Sequence, residues 1–364
     1  MSKFIVSAGG SGGHLFPAQA LAHELKRRGH SVQLMTDKRA NNFVADFPAE
    51  KTHIIPAATP NLRKPAKAFQ AGISILQGIA KAHGILKKED PDAVIGFGGY
   101  PTFPPLIAAT LRGIPTVLHE QNAVLGRANR ATARFADIIA LSFDKTKFSE
   151  KYEGKCVVTG NPVRDVVFEA AKKPYPVLEE DGPLHVLVTG GSQGAQVFSD
   201  MLPGAMMNIP DQLRQRIRLV QQCRQEDMKR ATSVYAETRL NVELAPFFKD
   251  LPRRIANSHL VICRAGASTV FELAQIGRPG VYVPLPGSLD QDQLHNAQNM
   301  VDVGGGVILE QGTLSPHLLA KELTIILSDP EKLKTMAQNA KKLSLQNAVQ
   351  QLAQVAENAA NEEE

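Results

Sequence analysis

Three glycine-rich runs carry the residues best suited to chemistry in this chain: Gly9-Gly10-Ser11-Gly12-Gly13-His14, Gly96-Phe97-Gly98-Gly99-Tyr100-Pro101 and Gly190-Gly191-Ser192-Gln193-Gly194-Ala195. A loop of this kind between a strand and a helix turns backbone N–H groups toward an anion at the positive helix end. Glycine is needed because a side chain would block close backbone approach. His14 is the one side chain in the first loop whose ordinary pKa lies near neutrality, which makes it a candidate general base. Orienting the loop, or binding an anion, is its alternative role. Glu120 is a second candidate base. A fourth run, Arg264-Ala265-Gly266-Ala267-Ser268-Thr269, precedes an apolar helical stretch, with Ser268 or Thr269 as its cap and its N-terminus as a seat for pyrophosphate. Glu272, placed on the first turn, is equally a dipole-compensating acid or an acceptor for ribose hydroxyls. Asp290-Gln291-Asp292 invites a metal reading, but two acids specify no site, and a helix cap is favoured.

The elements that must hold these loops alternate strand, helix, strand, helix. Strands are predicted at Lys3–Ala8, Ser31–Thr36, Ala93–Gly96, Thr116–His119 and Asp137–Leu141, then at 184–190, Ile217–Gln222, Asn241–Ala245, His259–Cys263, Gly280–Pro284 and Gly306–Leu309. Helices are predicted at Phe16–Arg28, stopped by Gly29, and at Pro65–Lys88. The chain breaks after Asn161-Pro162-Val163-Arg164, and residues 172–183 (KKPYPVLEEDGP) read as a linker. Glycine loops at the C-terminal ends of several strands point to one crevice of a doubly wound sheet. A nicotinamide site is the rival, with Asp37 as the ribose acid, but Leu15 stands where the fingerprint needs its last glycine.

The 364 residues suit two domains, and 43% hydrophobic with 21% charged residues is a globular composition. No apolar run is long enough to span a bilayer, and the opening MSKFIVSAGG lacks the pattern of a signal peptide. Cys156, Cys223 and Cys263 form neither a metal pattern nor a disulfide framework, so reduced thiols are expected. Residues 1–164 hold 22 Lys and Arg against 12 Asp and Glu, whereas the rest hold 19 against 24. A basic half can meet nucleic acid, a phosphorylated substrate or an anionic membrane. Nucleic acid is disfavoured, because there is no Trp and aromatics are only 5%.

GGSGGH (9–14), GFGGYP (96–101), HEQN (119–122), GNPVR (160–164), GGSQGA (190–195) and RAGASTVFE (264–272), in this order and spacing, resemble the MurG family of peptidoglycan N-acetylglucosaminyltransferases. The likeness runs from Lys3 to about Ala348. It implies an α/β GT-B fold, two Rossmann-like domains whose parallel sheets face each other across a cleft. The implied domains are 1–164, facing acceptor and membrane; 165–340, binding UDP-N-acetylglucosamine (UDP-GlcNAc); and 341–364, a helix returning to the first domain with an acidic tail. The implied reaction is inverting transfer of GlcNAc from UDP-GlcNAc to the C4 hydroxyl of MurNAc in lipid I, giving lipid II with a β-1,4 bond. No metal and no cofactor are implied. The implied location is the cytoplasmic face of the bacterial membrane, peripherally held, with cell-wall synthesis proteins as partners.

By position, the resemblance assigns donor contacts to Ser11, Gly12, Gly13, Asn122, Arg164, Ser192, Phe248 (through its backbone), Ala267, Ser268, Thr269, Glu272 and Gln293. It assigns the acceptor pyrophosphate to Gly10, Gly98, Gly99 and Tyr100. Asp292 stands where the family commonly has a glutamine, and Gln221-Gln222-Cys223-Arg224 replaces an imidazole-bearing stretch. The segment Pro65–Lys88 places Ile73, Leu76, Ile79, Ala80 and His83 on one face, with Lys64, Lys67, Lys81, Lys87 and Lys88 around it. That pattern suits an anionic membrane surface, or else an ordinary core-packing helix. The rival functions are another UDP-sugar enzyme of the same fold, such as a glycolipid synthase or an epimerase, a non-catalytic UDP-sugar sensor, and a dehydrogenase.

Overall fold

The computed structural model describes residues 1–40, 46–59, 64–191, 194–238, 240–345 and 347–361. The chain forms two compact units, Met1–Arg164 with Leu345–Glu364, and Asp165–Ser344. In the first unit, strands β1 (Lys3–Ser7), β2 (Ser31–Thr36), β3 (Thr52–Ile54), β4 (Ala93–Gly96), β5 (Thr116–Glu120), β6 (Ile138–Leu141) and β7 (Cys156–Val158) make one parallel sheet in the order β3-β2-β1-β4-β5-β6-β7. Side chains of a strand alternate between faces. Phe4 and Val6 of β1 therefore enter a core with α1 (Gly12–Arg27), while Ile5 enters a core with α2 (Pro65–Glu89), α3 (Phe103–Thr110) and α4 (Arg127–Ala133). Burial on both faces is why these strands read as continuous apolar runs.

The second unit contains β8 (Leu184–Thr189), β9 (Ile217–Gln222), β10 (Asn241–Ala245), β11 (Leu260–Cys263), β12 (Gly280–Tyr282) and β13 (Gly306–Ile308), parallel in the order β10-β9-β8-β11-β12-β13. Its helices are α5 (Asp165–Ala171), α6 (Gln196–Asn208), α7 (Asp211–Arg216), α8 (Met228–Thr238), α9 (Leu251–Ala256), α10 (Ala267–Ile276), α11 (Asp292–Asp302), α12 (Pro316–Leu327) and α13 (Pro330–Ala340). A last helix, α14 (Ala348–Asn361), belongs to the first unit, where Leu352, Ala353 and Ala356 are buried against α1. The acidic tail 362–364 lies outside the described residues.

Strand order reverses between β1 and β4 in one sheet and between β8 and β11 in the other. Ligands of doubly wound sheets bind beyond the strand C-termini at such switch points. All four glycine-bearing runs named above follow one of these four strands.

Two expectations are corrected. Residues 172–183 are not a free linker, since Tyr175 and Leu178 pack on the core of the second unit, and Arg278 donates to the carbonyls of Lys173 (3.3 Å) and Pro174 (2.9 Å). Residues 341–344, assigned to the returning segment, belong to the second unit: the Lys341 stem crosses Gly277, and Ser344 Oγ donates to Gln275 Oε1 at 2.5 Å. Strands β3 and β7, which the apolar pattern does not announce, are three-residue edge strands.

Candidate functional site

In the first unit the loops after β1, β4 and β5 converge on His14. The first loop leans on the second through Gly9 N–H donating to Gly98 O at 3.3 Å. Gly98 and Gly99 adopt φ of +81° and +78°, and a Cβ at Gly9 or at either of them would lie 3.3–3.4 Å from the His14 ring. The positive φ at Gly98 and Gly99 favours glycine there, and a side chain at any of the three would crowd the imidazole. His14 Nδ1 lies 3.2 Å from Gln121 Oε1, and Gln121 Nε2 lies 2.9 Å from His119 Nδ1. Burial holds the His14 imidazole below its ordinary pKa, against the opposing pull of Gln121 and the Phe97 carbonyl, and the charge of Arg39 lowers it further. It is therefore neutral near pH 7 and able to take a proton.

Glu120, the second candidate base, is bound into its own loop. It is 2% exposed and its carboxylate accepts four hydrogen bonds, from Asn122 N (2.9 Å), Asn122 Nδ2 (3.1 Å), Gly126 N (2.8 Å) and Asn129 Nδ2 (2.7 Å). Burial pushes this carboxyl up, and the four donors only partly offset it. Its work is to fold the loop 121–126. Asn122 is held at the loop surface by that carboxylate. Arg164 stacks over the Phe16 ring of α1 at 4.0 Å, and the same ring would lie 3.0 Å from a Cβ at Gly12. Arg164 is thereby brought to the first loop, where Ser11 and Gly13 are exposed and Gly12 begins α1. Gly10 is packed tightly: a Cβ there would lie 2.6 Å from Ala40 N and from Asp37 Oδ1. Tyr100 opens a short turn directly after Gly99. The Asp37 carboxylate, the ribose acid of the nicotinamide rival, is engaged by Arg39 N (3.0 Å) and Arg39 Nε (2.7 Å).

In the second unit, hydrogen bonds knit the loops after β8, β9, β10, β11 and β12. Gln222 Oε1 accepts from Gly190 N and Thr189 Oγ1, both at 3.0 Å, while its Nε2 donates to the carbonyls of Gly191 (2.9 Å) and Pro246 (3.3 Å). Its clamp is long-range, and the one sequence cue to it is a polar pair closing an apolar strand. Ser192 lies outside the described residues. Gly194 adopts φ +68° just before α6, and a Cβ there would meet Arg224 Cγ at 2.7 Å.

Helix α10 starts at Ala267 with Gly266 as its N-cap, so neither Ser268 nor Thr269 caps it, and the Ser268 hydroxyl is buried without a partner. This earlier start puts Glu272 in the second turn rather than the first; it is 6% exposed. Arg264, given no role by sequence reasoning, ties three loops by donating to Val283 O (2.9 Å), Pro284 O (3.0 Å) and Gln311 Oε1 (2.6 Å). Gln293 Oε1 accepts from Ala265 N (3.3 Å) and Leu285 N (3.0 Å), which turns its NH2 group away from those amides. Asp292 is the first residue of α11, with Gln291 rather than an aspartate as the N-cap, so the expected Asp cap is not found; the Asp292 Oδ1 accepts from the adjacent Gln293 N at 2.7 Å. Asp290 and Gln291 before it hold positive φ of 53° and 57°, a strained turn that sets the start of α11. Among the described residues no group of three or more His, Cys, Asp or Glu could hold a metal ion. Phe248 is buried, and Arg254 lies over its ring at 4.4 Å.

On α2, Ala71, Gly78, Ala82, Leu86 and Glu89 are buried. The opposite side exposes Phe69 (73%), Leu76 (67%) and Ile73 (42%), with Ala80 and His83. Ile79, expected on that stripe, instead packs against the core. Phe69 was not anticipated, although it precedes Ile73 and Leu76 at helical spacing. Lys64, Lys67, Lys81, Lys87 and Lys88 are exposed. Among the described residues no helix is long and apolar enough to cross a membrane.

The glycosyltransferase family 28 N-terminal domain matches residues 4–141 and the family 28 C-terminal domain matches residues 185–352. A UDP-N-acetylglucosamine--N-acetylmuramyl-(pentapeptide) pyrophosphoryl-undecaprenol N-acetylglucosamine transferase of Methylorubrum extorquens is 48% identical over 359 residues, covering 98% of this chain and 97% of its own. The crystal structure of Acinetobacter baumannii MurG superposes with a TM-score of 0.80 at 30% identity, covering 98% of this chain and 100% of that one. A UDP-GlcNAc 2-epimerase from Neisseria meningitidis shares the fold alone, with a TM-score of 0.71 at 15% identity over 98% of this chain and 100% of that one. Fold by itself therefore does not separate transfer from epimerisation.

Proposed function

We propose, for a chain that belongs to the MurG family of family 28 N-acetylglucosaminyltransferases, that it moves GlcNAc from UDP-GlcNAc to the C4 hydroxyl of MurNAc in undecaprenyl-pyrophosphoryl-MurNAc-pentapeptide. The observation that carries the catalytic part of this reading is the convergence of two glycine loops and the HEQN segment on one neutral imidazole. His14 takes the proton of the C4 hydroxyl as its oxygen attacks the anomeric carbon. The bond from that carbon to the UDP oxygen breaks on the opposite face, so a β-1,4 link forms with inversion. Charge grows on the departing diphosphate. The N-termini of α6 and α10 present backbone amides and positive dipole ends to it, a stabilisation that needs no cation.

The remaining roles follow from the same frame. Ser11, Gly12, Gly13, Asn122 and Arg164 contact the donor from the first unit. In the second, Ser192 and Ala267 to Thr269 hold the pyrophosphate, the Phe248 backbone meets uracil, Glu272 takes the ribose hydroxyls, and the free NH2 of Gln293 reads the sugar. Gly10, Gly98, Gly99 and Tyr100 receive the acceptor pyrophosphate. The exposed apolar stripe of α2 and its lysines rest on an anionic membrane surface on the cytoplasmic side, where partners in cell-wall synthesis would be met. Incubation with labelled UDP-GlcNAc and a lipid I analogue tests the reading. Stoichiometric UDP release with a β-1,4 disaccharide product is the expected result. Epimerised or merely hydrolysed donor, or binding with no turnover, would remove it.

A further inference from the structure

A neutral imidazole accepts a proton only at the nitrogen that carries no hydrogen, and in this site backbone carbonyls around the two rings bear on which nitrogen that is. Gly160 O lies 3.2 Å from His119 Nε2. A carbonyl can only accept, so His119 Nε2 holds the hydrogen and Nδ1 is bare. Gln121 Nε2 lies 2.9 Å from that bare Nδ1 and 3.3 Å from the carbonyl of His119 itself. Both of those atoms accept, so the two amide hydrogens are used there and Oε1 is turned toward His14 Nδ1, 3.2 Å away. His14 Nδ1 must then donate, and the Phe97 carbonyl, the other acceptor at this ring, must share that same hydrogen for Nε2 to keep its lone pair.

We propose that Gln121 and His119 are positioning residues that hold His14 in the Nδ1–H tautomer, with Nε2 as the proton-accepting atom and the Gly160 carbonyl as the fixed end of the relay. The surroundings agree. A Cβ at Gly99 would sit 3.4 Å from His14 Nε2, so the glycine leaves that edge of the ring uncovered. Gly160 holds φ +76°, and a Cβ there would lie 3.0 Å from Ala348 Cβ and 3.1 Å from Leu345 Cβ, so the backbone that aims its carbonyl is locked. Ser142 Oγ donates to Glu120 O at 2.8 Å and lies 3.4 Å from His119 Nε2, where it can only accept. The other charged groups near the relay are Arg39 with its partner Asp37 beyond β2, and Glu120, whose oxygens are taken up by its own loop.

The inference rests on the reading of His14 as base, and three variants separate the two. Gln121→Met removes the hydrogen bonds to both imidazoles; kcat should fall by on the order of 10²-fold with KM for UDP-GlcNAc unchanged. Gln121→Glu still accepts from His14 Nδ1 but stabilises the imidazolium. Its acidic limb of kcat should move to higher pH by about one unit, and its plateau should recover most of the loss seen in Gln121→Met. On the unsubstituted protein, ring-nitrogen NMR of 15N-histidine should show His14 protonated at Nδ1 and bare at Nε2, a readout independent of how the variants fold. A hydrogen on His14 Nε2, or wild-type kcat and pH profile in both Gln121 variants, overturns the relay. Full turnover in His14→Ala overturns the base itself, whereas lost turnover there with inert Gln121 variants overturns only the relay.

Discussion

His14 and His119 show what burial does to an imidazole that is paired with neutral groups. His119 is fully buried and its pKa falls to about 4, chiefly through burial, with the Gly160 carbonyl opposing and His14 adding to the fall. An unfolded histidine takes up its proton near pH 6.5, but the folded one does not until about pH 4. The unfolded state therefore binds more protons in that window, and stability is lost as pH falls from 6.5 toward 4, by on the order of 3 kcal/mol for this residue. Urea unfolding across that range should show the gap between wild type and His119→Gln narrowing by this amount; a constant gap would contradict the assignment. For activity the sign runs the same way. The base must be unprotonated, so kcat should hold through neutrality and decline only below the ordinary imidazole value, while His14→Ala should lose 10²–10⁴-fold in kcat, on the order of what general-base catalysis supplies. Glu120→Gln sets an NH2 group against N–H donors that now meet a carboxylate, and should cost about 1–3 kcal/mol in thermal or denaturant unfolding without moving the pH profile.

The loops follow a similar logic one level up, since each is shaped by a polar clamp as well as by its glycines. Gln222 holds the third loop through Gly190 and Gly191, with further hydrogen bonds to Thr189 and to Pro246 after β10, and is itself assigned no ligand contact. Gln222→Leu should therefore weaken UDP-GlcNAc binding by about tenfold in calorimetry, the equivalent of about 1.4 kcal/mol, while kcat at saturating donor stays close to wild type. Here the limits of sequence reading become physical. Glycine runs after apolar strands were legible because a positive φ or a close backbone approach admits little else. The helix at Pro65–Lys88 was legible from its period, but which side faces the core was not: small residues at Ala71, Gly78 and Ala82 pack closely there, while the larger Phe69 and Leu76 stay outside. Gln222 and Arg264 were opaque because their partners lie on other strands or loops, whereas the Glu120 clamp is local and was hidden only because the turn that brings Gly126 and Asn129 back to it carries no periodic signal. Glu272 lies a turn deeper in α10 than a hydroxyl cap implies, because Gly266 caps the helix. For α2 the exposed stripe makes a direct prediction. Leu76→Glu with Phe69→Glu should abolish retention on anionic vesicles while leaving turnover of a soluble acceptor analogue unchanged, and equal retention of variant and wild type would remove the membrane role.

Across the molecule, charge and chain path divide labour between the units. The basic first unit suits an anionic surface, so vesicle binding should fall as salt rises through the physiological range. The chain also leaves the first unit at Arg164 and returns at Leu345, so this unit is completed only by its last segment. Helix α14 places Leu352, Ala353, Ala356 and Ala359 in the core that holds Phe4, Val6, Leu15 and Leu21. Glu357 pairs with Arg28 Nη1 at 2.7 Å and His30 Nε2 at 2.8 Å across the rim of that contact. Removing residues 345–364 would uncover the part of the α1-side face of the sheet on which Leu352, Ala353 and Ala356 now pack. Burial of a single leucine stabilises by about 1.5–3 kcal/mol, so losing the helix should cost on the order of 5 kcal/mol or more, comparable to the stability of an entire domain. The truncated protein should therefore lose hydrogen-exchange protection throughout β1, β2 and β4 while β8 and β11 keep theirs. Glu357→Gln, which breaks only partly exposed ion pairs, should cost no more than about 1 kcal/mol. Protection of β1 that survives the truncation would mean that the first unit folds without its closing helix, and that the chain's return at Leu345 has no part in holding the His14 site together.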